Sequence, residues 1–159
     1  MLKEIFSNLI GNAIVASGRA IKVHNLDLYS KHDFEVTPEQ YLVLNMIKDD
    51  ENLNQNKLCE LLYKDKSNMA RIISVLEDKG LIVKTPTNEN GKQANIITIT
   101  EKGKDVRNKI TPVMLESRKN YLKGISQDDM YTCIKVLSKI KENLTPKRGE
   151  SEGKYGKEN

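Results

Sequence analysis

Within KDKSNMARIISVLEDKGLI, residues 64 to 82, three side chains carry the chemistry to read the edge of a base pair. Ser67 can donate or accept a hydrogen bond, Asn68 can pair with an adenine edge, and Arg71 can grip a guanine edge or a phosphate. Met69 can either turn inward or lay its thioether against a thymine methyl. Lys57, Lys64 and Lys66 can flank them as phosphate contacts. On an isolated helix these residues would be ordinary solvated surface, so their meaning depends on the elements that hold them.

The stretch itself has the spacing of a helix. Asp65 or Ser67 can cap its start, Met69, Ile72, Ile73 and Leu76 form an inward stripe, and Gly80 can supply the left-handed residue that closes it. A short helix, NQNKLCELL, precedes it, capped by Asn54 and stapled by Leu53 and Leu58, and a brief turn from Tyr63 to Lys66 joins the two. Further back, VTPEQYLVLNMI opens on a capping box: Thr37 as cap, Pro38 at the first helical position, Gln40 reaching back, with Val36 and Tyr41 as the staple. The acidic run Asp49, Asp50, Glu51 is expected to end that helix in a solvated turn.

After Gly80, LIVKT and NIITIT are rich in β-branched residues, and PTNENGKQA between them has the composition of a hairpin tip. The order helix, turn, helix, hairpin is a helix-turn-helix with a wing. In that arrangement the second helix can enter a major groove with its N-terminal residues at the base edges. The fold class expected is mainly α with a small β-hairpin wing, flanked by helices at both ends.

Those flanking helices are long and apolar on one side. From Leu2 to about Ser30, Ile5, Leu9, Ala13, Ala16, Ala20 and Val23 make a stripe that needs burial in the chain's own core or against a partner. Thr100 caps another helix to about Lys123, which Pro112 is expected to bend or break. Ser126 with Asp129 forms a capping box, stapled by Ile125 and Met130, and opens a last helix with Met130, Cys133, Ile134, Leu137, Ile140 and Leu144 inward. Beyond Pro146, KRGESEGKYGKEN has no apolar period and is expected to be a disordered tail.

At 159 residues the chain suits one domain, and no window approaches the roughly 18 apolar residues of a membrane span. Its N-terminal stretch fits an amphipathic helix better than a signal peptide, so a cytoplasmic location is expected. Cys59 and Cys133 are too few for a disulfide framework, no Cys/His cluster has metal spacing, and both positions suit small buried hydrophobes. There is no phosphate-binding glycine loop, no paired histidine on a helix face and no nucleophile elbow, so neither an enzyme nor a cofactor is expected. A net charge of +4 is mild, and residues 37 to 100 hold 8 Lys and Arg against 9 Asp and Glu. Any case for nucleic acid therefore rests on where the charges sit.

The run VTPEQYLVLNMI, then KLCELLYKDKSNMARIISVLEDKGLI, then IITITEKGKDV is similar to the MarR (multiple antibiotic resistance regulator) family over about residues 36 to 106. The resemblance implies a homodimeric winged-helix transcription factor that reads a palindromic operator in double-stranded DNA and more commonly represses than activates. Residues 1–33 and 101–145 would be dimerisation helices and 36–100 the winged helix-turn-helix, within one domain of 1–145, with 146–159 as the tail. The DNA contacts implied are Lys66, Ser67, Asn68, Met69 and Arg71 on the recognition helix, Lys57 and Lys64 on phosphates, and Lys92 and Gln93 on the wing. The family's wing usually carries an aspartate and, two residues on, an arginine; here those places hold Gly91 and Gln93, and Lys92 between them keeps one positive charge. Many relatives answer to small aromatic or phenolic ligands, which implies an effector of that class but names no residue for it. A cysteine peroxide sensor in the first helix, found in one branch, is absent here. A rival use of the same fold is a protein-interaction module without specific DNA binding; an Arg71→Ala substitution that left DNA affinity unchanged would favour it.

Overall fold

The computed structural model describes residues 2–47, 53–89 and 92–144, and of residues 2–7, 89 and 92 the backbone alone. Two compact units divide the chain, Met1–Leu115 and Glu116–Asn159. In the first unit, α1 (Leu2–Lys31) leads to α2 (Pro38–Met46), α3 (Gln55–Leu62), α4 (Lys66–Asp78) and an antiparallel hairpin of β1 (Ile82–Glu89) and β2 (Lys92–Ile99). The helix α5 (Glu101–Tyr121) begins in the first unit, and the second holds α6 (Gln127–Leu144). Among the described residues no helix is long and apolar enough to cross a membrane.

The expected caps are present. Thr37 Oγ1 accepts from the Gln40 N–H at 3.3 Å while Gln40 Oε1 accepts from the Thr37 N–H at 3.0 Å, a closed capping box with Pro38 just inside it. Asn54 Oδ1 accepts from the Lys57 N–H at 2.9 Å to start α3. Each cap satisfies a donor that the first helical turn leaves without an intrahelical partner. The acidic run at 49–51 lies outside the described residues; α2 stops at Met46, where Ile47 turns extended and accepts from Arg107 Nη1 through its carbonyl at 2.8 Å.

The core of the first unit gathers the inward stripes of these elements, with Leu44, Ile47, Leu58, Met69, Leu76 and Leu81 all fully buried. Both staple pairs, Val36 with Tyr41 and Leu53 with Leu58, are inside it. The end of α1 joins through Tyr29, whose ring meets Phe34 and Tyr41 edge-on at 5.1 and 6.3 Å. The rest of the α1 stripe does not: Leu9, Ala13, Ala16, Ala20 and Val23 are exposed, Val23 at 61%.

Three expectations need correction. The wing strands are longer than LIVKT and NIITIT: register runs from Ile82 opposite Ile99 to Glu89 opposite Lys92, so only Asn90 and Gly91, outside the described residues, connect them. Pro86 is tolerated within β1 because the sheet has two strands, which leaves one edge of β1 without a ladder to donate into. Second, Pro112 does not break α5, which is continuous to Tyr121. Pro112 sits on the exposed side, four residues after exposed Asn108, while Val106, Ile110 and Met114 hold the buried side.

Third, the apolar stripe of α6 is not inward. Ser126 caps it as expected, accepting from the Asp129 N–H at 3.1 Å, with its hydroxyl 2.6 Å from Asp129 Oδ2. No residue of the helix is buried: Met130 and Ile140 are half-buried, and Cys133, Ile134, Leu137 and Leu144 are exposed. The 146–159 tail lies outside the described residues.

Candidate nucleic-acid interface

The turn between α3 and α4 is tight. Tyr63 adopts a left-handed conformation (φ 51°), which closes α3 by letting the Lys64 N–H reach the Cys59 carbonyl at 3.1 Å. Of the two candidates for the α4 cap, Asp65 takes the role: its Oδ1 accepts from the Asn68 N–H at 2.8 Å, and Ser67 is thereby left free on the surface. A brace from the start of α3 completes the joint, with Gln55 Nε2 donating to the Lys66 carbonyl at 3.1 Å.

Helical spacing then sorts α4 into two faces. Met69, Ile72, Ile73 and Leu76 are buried; Lys66, Ser67, Ala70, Arg71 and Ser74 are exposed, and Asn68 is half-buried beside them. Met69, at 0% exposure, belongs to the core and is withdrawn from the groove-facing set. Its position one turn before Ile72 and Ile73 is decided by the apolar stripe, so its thioether has no route to a thymine methyl. Arg71 Nη2 stands 3.4 Å from Asn68 Oδ1, so the two base-reading candidates already share a polar contact.

The structure brings the other expected residues together unevenly. Lys57, Lys66, Ser67 and Arg71 are exposed around the start of α4. Lys64 is not open: its Nζ lies 3.4 Å from Glu39 Oε2, and its side chain is only 15% exposed. Gln93 is exposed on β2 opposite Asn88, and Lys92 begins that strand, its side chain outside the described residues like Gly91. Sequence reading missed Ala70 and Ser74, which share the exposed face with Ser67 and Arg71; the three- and four-residue spacing from Ser67 and Arg71 was the available signal.

The far end of α4 is held by its neighbours. Gly80 (φ 69°) closes it with two backbone bonds, Gly80 N–H to the Glu77 carbonyl at 2.8 Å and Leu81 N–H to the Leu76 carbonyl at 2.9 Å, and buried Leu76 and Leu81 supply the apolar contact of this motif. Lys102 Nζ donates to the Lys79 carbonyl at 2.8 Å, Thr100 Oγ1 to the Gly80 carbonyl at 2.8 Å, and the Thr100 N–H to the Leu81 carbonyl at 3.1 Å. Lys79 Nζ reaches the Glu35 carbonyl. A carboxylate also links helix to wing, with Glu77 Oε2 2.6 Å from Lys84 Nζ.

The cysteines take no visible part. Cys59 is half-buried, and burial pushes its thiol above the usual range against an opposing pull from Lys66, so it stays protonated near neutrality. Cys133 is exposed rather than the small buried hydrophobe expected. Among the described residues no group of three or more His, Cys, Asp and Glu could hold a metal ion.

The MarR family model matches residues 34–93, the span from the α2 cap to the wing. The chain is 31% identical over 112 residues to the Uncharacterized HTH-type transcriptional regulator YybA of Bacillus subtilis (strain 168), covering 70% of this chain and 74% of that protein. It is likewise 31% identical over 105 residues to the HTH-type transcriptional regulator SarZ of Staphylococcus epidermidis, covering 66% and 69%. A solved structure of a MarR family transcriptional regulator from Listeria monocytogenes, complexed with a 26mer DNA, superposes with a TM-score of 0.70 at 27% identity over 84% of this chain and 87% of that one. The chain belongs to the MarR family of winged-helix transcriptional regulators. It is accordingly a regulator of transcription and not an enzyme.

Proposed function

We propose that the protein binds double-stranded DNA as a homodimer in the cytoplasm and represses transcription by covering a palindromic operator. The observation that carries this is the division of α4: a fully buried stripe anchors it, and Ser67, Arg71 and Ser74 line the exposed face beside Asn68, with Lys57 and Lys66 nearby. Ser67, Asn68 and Arg71 read base edges from the first turns of the helix, and Lys57 and Lys66 hold phosphates. Lys64, held by Glu39, contributes less. Lys92 and Gln93 approach the DNA beside the groove without the arginine that the family's wing usually carries. The DNA in the complex of the Listeria relative supports the same partner for this chain.

Two apolar faces support the dimer. On α1, Leu9, Val15, Val23 and Leu26 are exposed, and on α6, Tyr131, Ile134, Leu137 and Leu144 are exposed. Apolar residues bared repeatedly along one helix mark an interaction surface rather than a stable solvent face. In this reading residues 1–33 and 101–145 pair the two copies while 36–100 carry the DNA-binding motif. A small aromatic or phenolic effector, which many relatives use, would act by changing the spacing of the two recognition helices.

Fluorescence anisotropy tests the DNA reading, with the duplex immediately upstream of the protein's own gene against scrambled DNA across a salt series. Saturable binding at one dimer per site, weakening steeply as salt rises, is expected. Equal, weak binding to both duplexes would instead favour a protein-interaction role for the winged helix.

A further inference from the structure

The wing has two lysines, Lys84 and Lys92, and at the place where the family expects an arginine it has Gln93. Lys84 is not simply a second cation for DNA. It follows Ile82 on the same side of β1 and pairs in register with Ile97, both of them buried, so it stands in the corner between the wing and α4. There its ammonium lies 2.6 Å from the Glu77 carboxylate, with the two side chains 36% and 35% exposed. Glu77 comes one turn after Ser74 on the helix that carries Ser67 and Arg71.

We propose that Glu77 is a positioning residue that withholds Lys84 from the DNA backbone and so lowers the affinity for every DNA sequence alike. This rests on the DNA-binding role of α4 proposed above. A half-exposed ion pair contributes little to the stability of the fold, so the carboxylate can be removed without loss of structure. A phosphate approaching Lys84 would meet a carboxylate already at contact distance, and like charges at that range repel. The pair therefore removes one cation from the count of phosphates the protein neutralises, and that count sets both the non-specific affinity and its dependence on salt.

The test uses the full chain and its Glu77→Gln, Lys84→Gln and double variants, each checked for fold by circular dichroism. Anisotropy would be read on a random-sequence duplex and on the upstream duplex across a salt series. Glu77→Gln is expected to raise affinity several-fold at low salt on both duplexes and to steepen the plot of log affinity against log salt by about one unit. In the Lys84→Gln background the same change should leave that slope where it was. A Glu77→Gln slope equal to wild type would overturn the inference, and so would an identical gain with and without Lys84, since the carboxylate would then act alone. Wild type that bound neither duplex at any salt would overturn the DNA-binding role itself, and this inference with it.

Discussion

The Thr100 hydroxyl donates to the Gly80 carbonyl at 2.8 Å and accepts from the Gly103 N–H at 3.0 Å. One side chain thus caps the start of α5 and satisfies a carbonyl just past the end of α4. The two helices that it joins are separated in sequence by the whole wing. If that double role matters, Thr100→Val, which keeps the shape and removes the hydroxyl, should lower stability by about 1 to 2 kcal/mol, and Thr100→Ser should restore most of it. Urea unfolding followed by circular dichroism measures both.

Gly103 sits where that joint is tightest. A Cβ built there would stand 2.1 Å from the Leu81 carbonyl oxygen and 2.7 Å from Ile99 Cγ1. The first of these is backbone and cannot rotate away. Gly103→Ala should therefore destabilise by about 1 to 3 kcal/mol or more despite alanine's better helix propensity. A thermal melt as stable as wild type would show that the base of the wing yields more easily than its hydrogen bonds suggest.

Asp65 is the cap of α4, and Asp65→Ala should cost about 1 kcal/mol. The effect on DNA should exceed that on the fold, because the unwound turn is the one that carries Ser67 and Asn68. Comparing the urea midpoint with affinity for the upstream duplex separates the two.

Arg71→Ala should cost about 1 to 3 kcal/mol of specific binding if the guanidinium reads a base, and should instead flatten the salt slope by about one unit if it holds a phosphate. Affinity and slope both unchanged would remove Arg71 from the interface.

The Cys59 thiol, pushed up by burial, favours its protonated form in the folded chain. The sign follows: this contribution to stability is complete below the unfolded thiol's pKa and is lost as pH rises through the folded one. In a Cys133→Ser variant, the rate of Cys59 alkylation should rise with pH at a higher midpoint in the folded protein than in urea. Coincident midpoints would mean that the site is wetter than its burial indicates.

Local signals were the most legible in the sequence. Thr37, Asn54, Asp65 and Ser126 are caps in the structure because a short polar side chain ahead of an apolar period has few other stable uses. The inward stripe of α4 was equally plain, but it left Met69 open to a groove-facing reading that only its burial in the structure removes. The wing's length was harder: Pro86 and the polar run around it suggested a broad loop, whereas a two-stranded sheet tolerates proline on an open edge and Asn-Gly suffices as a connection. Periodicity announced the apolar faces of α1 and α6 but could not say what covers them, since the pattern of a buried helix and of an unpaired interface is the same. The Glu77–Lys84 and Lys64–Glu39 pairs join residues distant in sequence or on different elements, and no spacing rule points to them.

Leu81 carries a consequence of its own. Its N–H closes α4 and its carbonyl receives the first residue before α5, so no slack peptide separates the end of one helix from the anchor of the other. Under the proposed DNA-binding role, α4 is therefore mounted like a key on its shank: a turn at the start of α5 would be passed through Leu81 and Thr100 to the edge that bears Ser67 and Arg71.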